Sequence, residues 1–202
     1  MSSSSPSFVV RERRELADLL DQLGPAAPTL CGGWDTAHLA AHLVVRDRRP
    51  DAMAGFALEG LSAARALTSW SHRLEDRLRE STPYAEVVDR VRSGPPVWVP
   101  GGWPGMAALN TPEVAIHHED VRRAVPDWAP RELPRAVHDQ LWRFVTLYGR
   151  RAAGHRGLVL RRSDVPGVEK LIGAGGRTVE GEPLDLLLWL SGRRDVARVK
   201  DS

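Results

Sequence analysis

Cysteine is nearly absent from this 202-residue chain. Cys31 stands alone, which excludes an internal disulfide framework and makes the reducing cytoplasm the expected compartment. Lysine is almost as scarce: Lys170 and Lys200 are the only two, so 26 of the 28 basic residues are arginine. The net charge is +2, with acidic and basic residues mixed along the chain. That leaves no concentrated basic block of the kind a nucleic-acid footprint requires. No apolar run approaches the roughly 20 residues of a membrane span. The serine-rich start, Met1 to Ser7, has no apolar run behind it and reads as a frayed tail rather than a secretory signal. What is present, 42% hydrophobic and 27% charged residues, is the composition of an ordinary globular protein. The length suits one domain, or one domain with a small appendage.

Periodicity predicts a mainly α protein. Leu16, Leu19, Leu20 and Leu23 give residues 8–23 one apolar helical face, and Gly24-Pro25 ends it. A loop rich in Pro and Gly leads to Asp35, an N-cap for a second helix through Leu39, His42 and Leu43 toward Arg48. Pro50 interrupts it. A third helix is expected over about 61–80 and a shorter one over 84–91. The stretch from Gly94 to Gly105 is too rich in Pro and Gly for helix or central strand. A further helix starts near Met106 or Thr111 and ends by Pro126, with Pro112 suited to its first turn if Thr111 caps it. Another covers about 134–153. The texture then changes. Residues 157–161 and 177–180 read as short strands, Gly173 to Gly176 as a turn, 182–190 as an apolar helix and 196–199 as a last strand. The expected division is a helical bundle over 1–155 and a small α/β extension over 156–202.

The chemistry concentrates on two helices. His38 and His42 stand four apart on one, Glu113 and His117 four apart on the other, so each pair projects from one face. His42 lies between Leu39 and Leu43, and His117 between Val114 and Val121, on the core-facing stripes. Two imidazoles and a carboxylate from facing helices can meet inside a bundle and hold a metal. Spacing alone leaves hydrogen-bonded core histidines as the commoner alternative. A buried Glu113 adds weight, because an isolated buried carboxylate needs a cation or several donors.

Three segments carry a resemblance. Thr29–Leu43 (TLCGGWDTAHLAAHL), Thr111–Ala124 (TPEVAIHHEDVRRA) and Gly181–Arg194 (GEPLDLLLWLSGRR) resemble the DinB-like metalloprotein superfamily, on the branch of mycothiol-dependent maleylpyruvate isomerase. With Arg49-Pro50 and the His-His-Glu-Asp-Val-Arg-Arg run, the chain is most similar to a subgroup known only as metal-binding proteins. The resemblance implies a DinB-like four-helix bundle with a small C-terminal α/β appendage, and metal ligands at His42, Glu113 and His117. His38 matches no ligand position and reads as exposed near the helix start, with a supporting role at the site as the alternative. His118, about 100° around the helix from His117, reads as structural or pocket-lining. Asp120 is a candidate to orient an imidazole, with solvated helix surface as the equal alternative.

Two His and one Glu leave Zn²⁺ an open position. The resemblance implies that a low-molecular-weight thiol such as mycothiol is held there as thiolate and added to a small electrophilic substrate, in a transferase or isomerase reaction. Arg46 and Arg49, one and two turns beyond His42, are candidates to hold a carboxylate of that cofactor or substrate, or else line a solvated face. Cys31 is redox-active, or approaches the metal, or, more commonly for such a cysteine, is small buried filler. Trp98 and Trp103 are lid candidates, with core packing as the simpler account. Competing readings are metal-assisted hydrolysis, with Glu119 or Asp120 as base, and a non-catalytic metal-binding or sensing protein whose shell is closed by His38 or Cys31. No nucleic acid and no membrane is expected as partner, and the expected state is monomer or homodimer.

Overall fold

The computed structural model describes residues 7–49, 51, 65–103, 106–153 and 157–202. They form two compact units that divide between Trp128 and Ala129.

The first unit is helical. Helix α1 (Phe8–Leu23) ends where Gly24 turns to φ 77°. Helix α2 (Thr36–Arg48) begins where the Asp35 carboxylate accepts from the His38 backbone N–H. Helices α3 (Arg65–Ser81) and α4 (Tyr84–Ser93) follow. A short 3₁₀ turn, Ala107–Asn110, feeds α5 (Thr111–Arg122), with Pro112 in the first turn, where its missing N–H costs nothing. The first residues of the helix expected from 61 fall outside the described residues, as does Pro50.

α1, α3 and α4 are amphipathic; α2 and α5 are not. Thr36, Leu39 to Val45 and Asp47 are all buried, as are Thr111, Pro112 and Val114 to Val121. Both helices are therefore covered on several sides, so polar side chains on them are buried too and need partners. α1 supplies two. Glu12 Oε1 meets His118 Nδ1 at 2.9 Å on α5. Arg13 donates to both oxygens of Asp47 on α2, at 2.6 and 3.3 Å. Burial is the larger influence on Asp47 and pushes its carboxyl above the ordinary range, even beside Arg13. Around these pairs Leu16, Leu20, Leu39, Leu43 and Val88 are fully buried.

The second unit holds helix α6 (Arg135–Ala153), strands β1 (Leu158–Arg162), β2 (Glu169–Ile172) and β3 (Arg177–Gly181), helix α7 (Pro183–Leu190) and β4 (Val199–Asp201). The sheet order is β2-β1-β3-β4, with β1 and β3 parallel and both edge strands antiparallel to their neighbours. α6 packs on α7 and on β1 and β2. It is thus grouped with the sheet, whereas composition places the boundary after residue 155. The physical reason is the buried face of Val137, Leu141, Val145 and Gly149, which serves this second core. β2 is an addition to the expected strands, and the last strand starts three residues later than expected. No helix among the described residues is long and apolar enough to cross a membrane.

Candidate metal centre

The approach to α2 is fixed first. Trp34 N–H donates to the Cys31 carbonyl at 2.8 Å, and Thr29 Oγ1 donates to the Trp34 carbonyl at 2.9 Å. Gly33 takes φ 79°, which disfavours any other residue. Leu30 N–H donates to the Asp120 carbonyl at 3.0 Å, so this loop is fastened to α5. The Trp34 indole then lies against the His42 ring, with centroids 5.1 Å apart.

Inside the bundle, His42, Glu113 and His117 meet. Their nearest ligand atoms all lie within 4.8 Å of one another. Glu113 Oε1 is 3.2 Å from His117 Nε2 and 3.6 Å from His42 Nε2. Tetrahedral zinc, with bonds near 2.0–2.2 Å to nitrogen and oxygen, puts neighbouring ligand atoms roughly 3.4 Å apart. Both Glu113 separations therefore fit one such ion. The two rings stand edge to face, 69° apart, with centroids at 5.3 Å.

Each imidazole is held from behind. His42 Nδ1 lies 2.8 Å from Glu75 Oε1 on α3, and His117 Nδ1 lies 2.9 Å from Asp120 Oδ2. A carboxylate on Nδ1 fixes the ring and keeps the proton there, leaving the Nε2 lone pair for a metal. Glu75 also reaches His72 Nδ1 at 3.0 Å. The orienting role expected of Asp120 matches its place in the site. Glu75 was not expected from sequence: it sits in an ordinary charged stretch, and only the pairing of α3 with α2 brings it to His42.

The electrostatics follow. Burial alone would raise the Glu113 carboxyl. Hydrogen bonds to His117 and His42 and the charge of Arg46 outweigh it, and the group lies well below its ordinary 4.5. Burial would likewise lower His117. Its bonds with Asp120, Cys31 and Glu113 outweigh that, and it lies well above 6.5. Without a metal, the pocket therefore keeps a proton on His117 between carboxylates, in the place a cation suits.

The other expected residues divide. Arg46 Nε is 3.2 Å from Glu113 Oε1, and its Nη1 donates to Asn110 Oδ1 at 3.1 Å, so it reaches the site. Arg49 does not appear among the site's contacts: it pairs with Asp51 at 2.7 Å on the exposed surface. His38 Nδ1 pairs with Asp35, 2.7 Å away and about a third exposed, in keeping with a residue at the helix start. His118 is buried against Glu12. Glu119 is buried in pairs with Arg122 and Arg123. Cys31 Sγ donates to Asp120 Oδ2 at 3.1 Å and lies 3.7 Å from His117 Nδ1. It is thus on the far edge of the His117 ring from Glu113. Trp98 and Trp103, 66% and 51% exposed, are not core packing: the Pro/Gly loop turns them outward.

This is a helical bundle whose two innermost helices present two imidazoles and one carboxylate to a single point. Comparison with solved structures places the architecture. The chain is similar to the mycothiol-dependent maleylpyruvate isomerase, with a TM-score of 0.54 and 18% identity over 96% of this chain and 89% of that one. A histidine-to-alanine variant of that enzyme matches with a TM-score of 0.55 and 17% identity over the same shares. At these identities the likeness establishes the fold. The mainly α, DinB-like bundle with a small α/β appendage, suggested by the three sequence segments, is the fold this chain has. No protein-family model matches the sequence, and no curated protein matches it significantly.

Proposed function

We propose that this chain is a divalent-metal protein of the thiol-dependent isomerase or transferase kind, with His42, Glu113 and His117 as ligands to Zn²⁺. One observation carries the reading: both Nε2 atoms converge on Glu113 while both Nδ1 atoms are bound to buried carboxylates. Core histidines that merely satisfied hydrogen bonds would not need two orienting carboxylates and a third between them. Three protein ligands leave a position open, as in catalytic rather than structural zinc sites.

When bound, the ion supplies a Lewis-acid centre at which a small thiol such as mycothiol is kept as thiolate, the nucleophilic form. The chain's own residues do the rest. Glu113 offers an anionic oxygen that needs no deprotonation at neutral pH. Glu75 and Asp120 hold the two rings in register. Arg46, half engaged by Glu113 and Asn110, presents its remaining N–H groups to an anionic group of the thiol or of the electrophilic substrate. The likeness to an enzyme named for its dependence on mycothiol supports the choice of thiol chemistry.

The competing readings have less support. Hydrolysis requires a base facing the open position. Glu119 is occupied by two arginines, and Asp120 lies behind His117. A closed, purely structural shell requires a fourth ligand. His38 is turned to Asp35 and Cys31 to the other edge of His117.

The test is elemental analysis of the purified protein with its His42→Ala and His117→Ala variants, paired with a titration of mycothiol. The expected result is at least one metal equivalent fewer in each variant and thiol binding that disappears with the metal. Metal content unchanged in His42→Ala overturns the ligand set; thiol binding by metal-stripped protein overturns the chemistry.

A further inference from the structure

The geometry points to a second metal site on the other edge of His117, formed by Cys31 Sγ, His117 Nδ1 and Asp120 Oδ2, which we propose binds a thiolate-preferring divalent ion of the Zn²⁺ class. It shares His117 with the reading above and uses the His117 Nδ1–Asp120 contact that holds the ring there, the ion standing where the proton between those two atoms stood.

The three ligand atoms lie at 3.1 Å (Sγ to Oδ2), 3.7 Å (Sγ to Nδ1) and 2.9 Å (Nδ1 to Oδ2). Zinc bonds of about 2.3 Å to sulfur and 2.0–2.2 Å to nitrogen and oxygen set the edges of a tetrahedral face at roughly 3.4–3.6 Å. The Sγ–Nδ1 edge already matches, and the two edges to Oδ2 open by about half an ångström to accommodate the ion. Asp120 is fully buried, His117 nearly so, and Cys31 is half-buried, which leaves an approach from its side. The loop carrying Cys31 is pinned to α5 by the Leu30 hydrogen bond to Asp120, so the sulfur is held in place rather than meeting the carboxylate by chance.

Charge balance supports the assignment. Cys31 Sγ–H and His117 Nδ1–H both point at one oxygen, Asp120 Oδ2. When the ion enters, these two bonds to hydrogen break, both protons leave to solvent, and bonds from Sγ, Nδ1 and Oδ2 to the ion form. Two positive charges leave and two arrive, so the net charge of a buried pocket is unchanged, and the usual cost of burying a cation is avoided. His117 then bridges two ions through its two nitrogens. The sulfur selects zinc-like ions over Mg²⁺ or Ca²⁺.

The experiment is a Co²⁺ titration of metal-stripped protein, followed by optical absorption. A sulfur-to-cobalt charge-transfer band and two equivalents per chain are expected. Cys31→Ser should bind one equivalent without the band, and His42→Ala should lose one equivalent and keep the band. As a readout free of any variant, Zn²⁺ should protect the Cys31 thiol of the wild-type chain from a thiol reagent. Absence of the band, or no protection by Zn²⁺, overturns the second site and leaves the first untouched. A band that disappears in His42→Ala also overturns it, because Cys31 would then be completing the first site. Two equivalents retained by His42→Ala would instead overturn the first.

Discussion

Replacing Glu75 with Gln tests the centre at a residue that touches no metal. Glu75 is 6% exposed, and its Oε1 holds His42 Nδ1 at 2.8 Å. Gln keeps the volume and one acceptor but removes the charge. Two histidines, 42 and 72, then compete for a single amide carbonyl. His72 is 42% exposed on its side chain and finds water at little cost. His42 does not, so the loss falls on its ring orientation and basicity. Carboxylates in this position are typically worth ten- to a hundredfold in metal affinity, about 1.4 to 2.7 kcal/mol. The assay is competition for Zn²⁺ against a chromogenic chelator, with the melting temperature of the metal-free protein measured alongside. Asp76→Asn is the control: its carboxylate is on the same helix, one residue on, 58% exposed and paired with Arg79. The expected result is a Kd raised ten- to a hundredfold in Glu75→Gln and unchanged in Asp76→Asn. An unchanged Kd in a folded Glu75→Gln protein would refute the view that His42 reaches the metal through Nε2 with Nδ1 held from behind.

Metal affinity should weaken as pH is lowered, because His117 is held well above 6.5 and its proton must leave before the ion binds; a chelator competition across pH measures it. In the metal-free protein the signs differ by group. The raised His117 stabilises fully below 6.5 and loses its contribution as pH rises through its folded value. The lowered Glu113 stabilises fully above 4.5 and loses its contribution as pH falls. Stability of the stripped protein, followed by urea unfolding, should therefore peak between those limits, and metal should remove the alkaline loss. Asp47→Ala should cost about 3–5 kcal/mol in the same assay, since it leaves the Arg13 guanidinium buried without its partner. Gly157→Ala should destabilise the second unit by roughly 1–3 kcal/mol or more. Its φ is +38°, and a Cβ there would stand 2.3 Å from the Gly175 carbonyl oxygen.

The helices were legible because a period of 3.6 shows wherever one face meets water, as in α1 and α6. The meeting of His42, Glu113 and His117 was legible because residues four apart on a helix share a face and the leucines and valines beside them mark that face as the inner one. Glu75 was hidden for the opposite reason. Nothing in His72-Arg73-Leu74-Glu75-Asp76-Arg77 distinguishes the carboxylate turned to α2 from the one turned to water. The unit boundary was hidden as well, since an apolar stripe on α6 shows that a face is covered without showing by what. Strand β2 has only Ile172 buried, so it carries almost no alternation to read.

Glu12 and Arg13 are neighbours in sequence, yet they reach different helices, α5 and α2. The leucines of α1 repeat closely enough that a slide of one turn would still bury apolar surface. The same slide would leave an acid, a guanidinium, a histidine and an aspartate stranded in a dry interior. The first helix is thus indexed like a key with two cuts. A sequence library that kept its leucine spacing and randomised these two positions should yield compact chains with no single arrangement of the helices that carry residues 42 and 117.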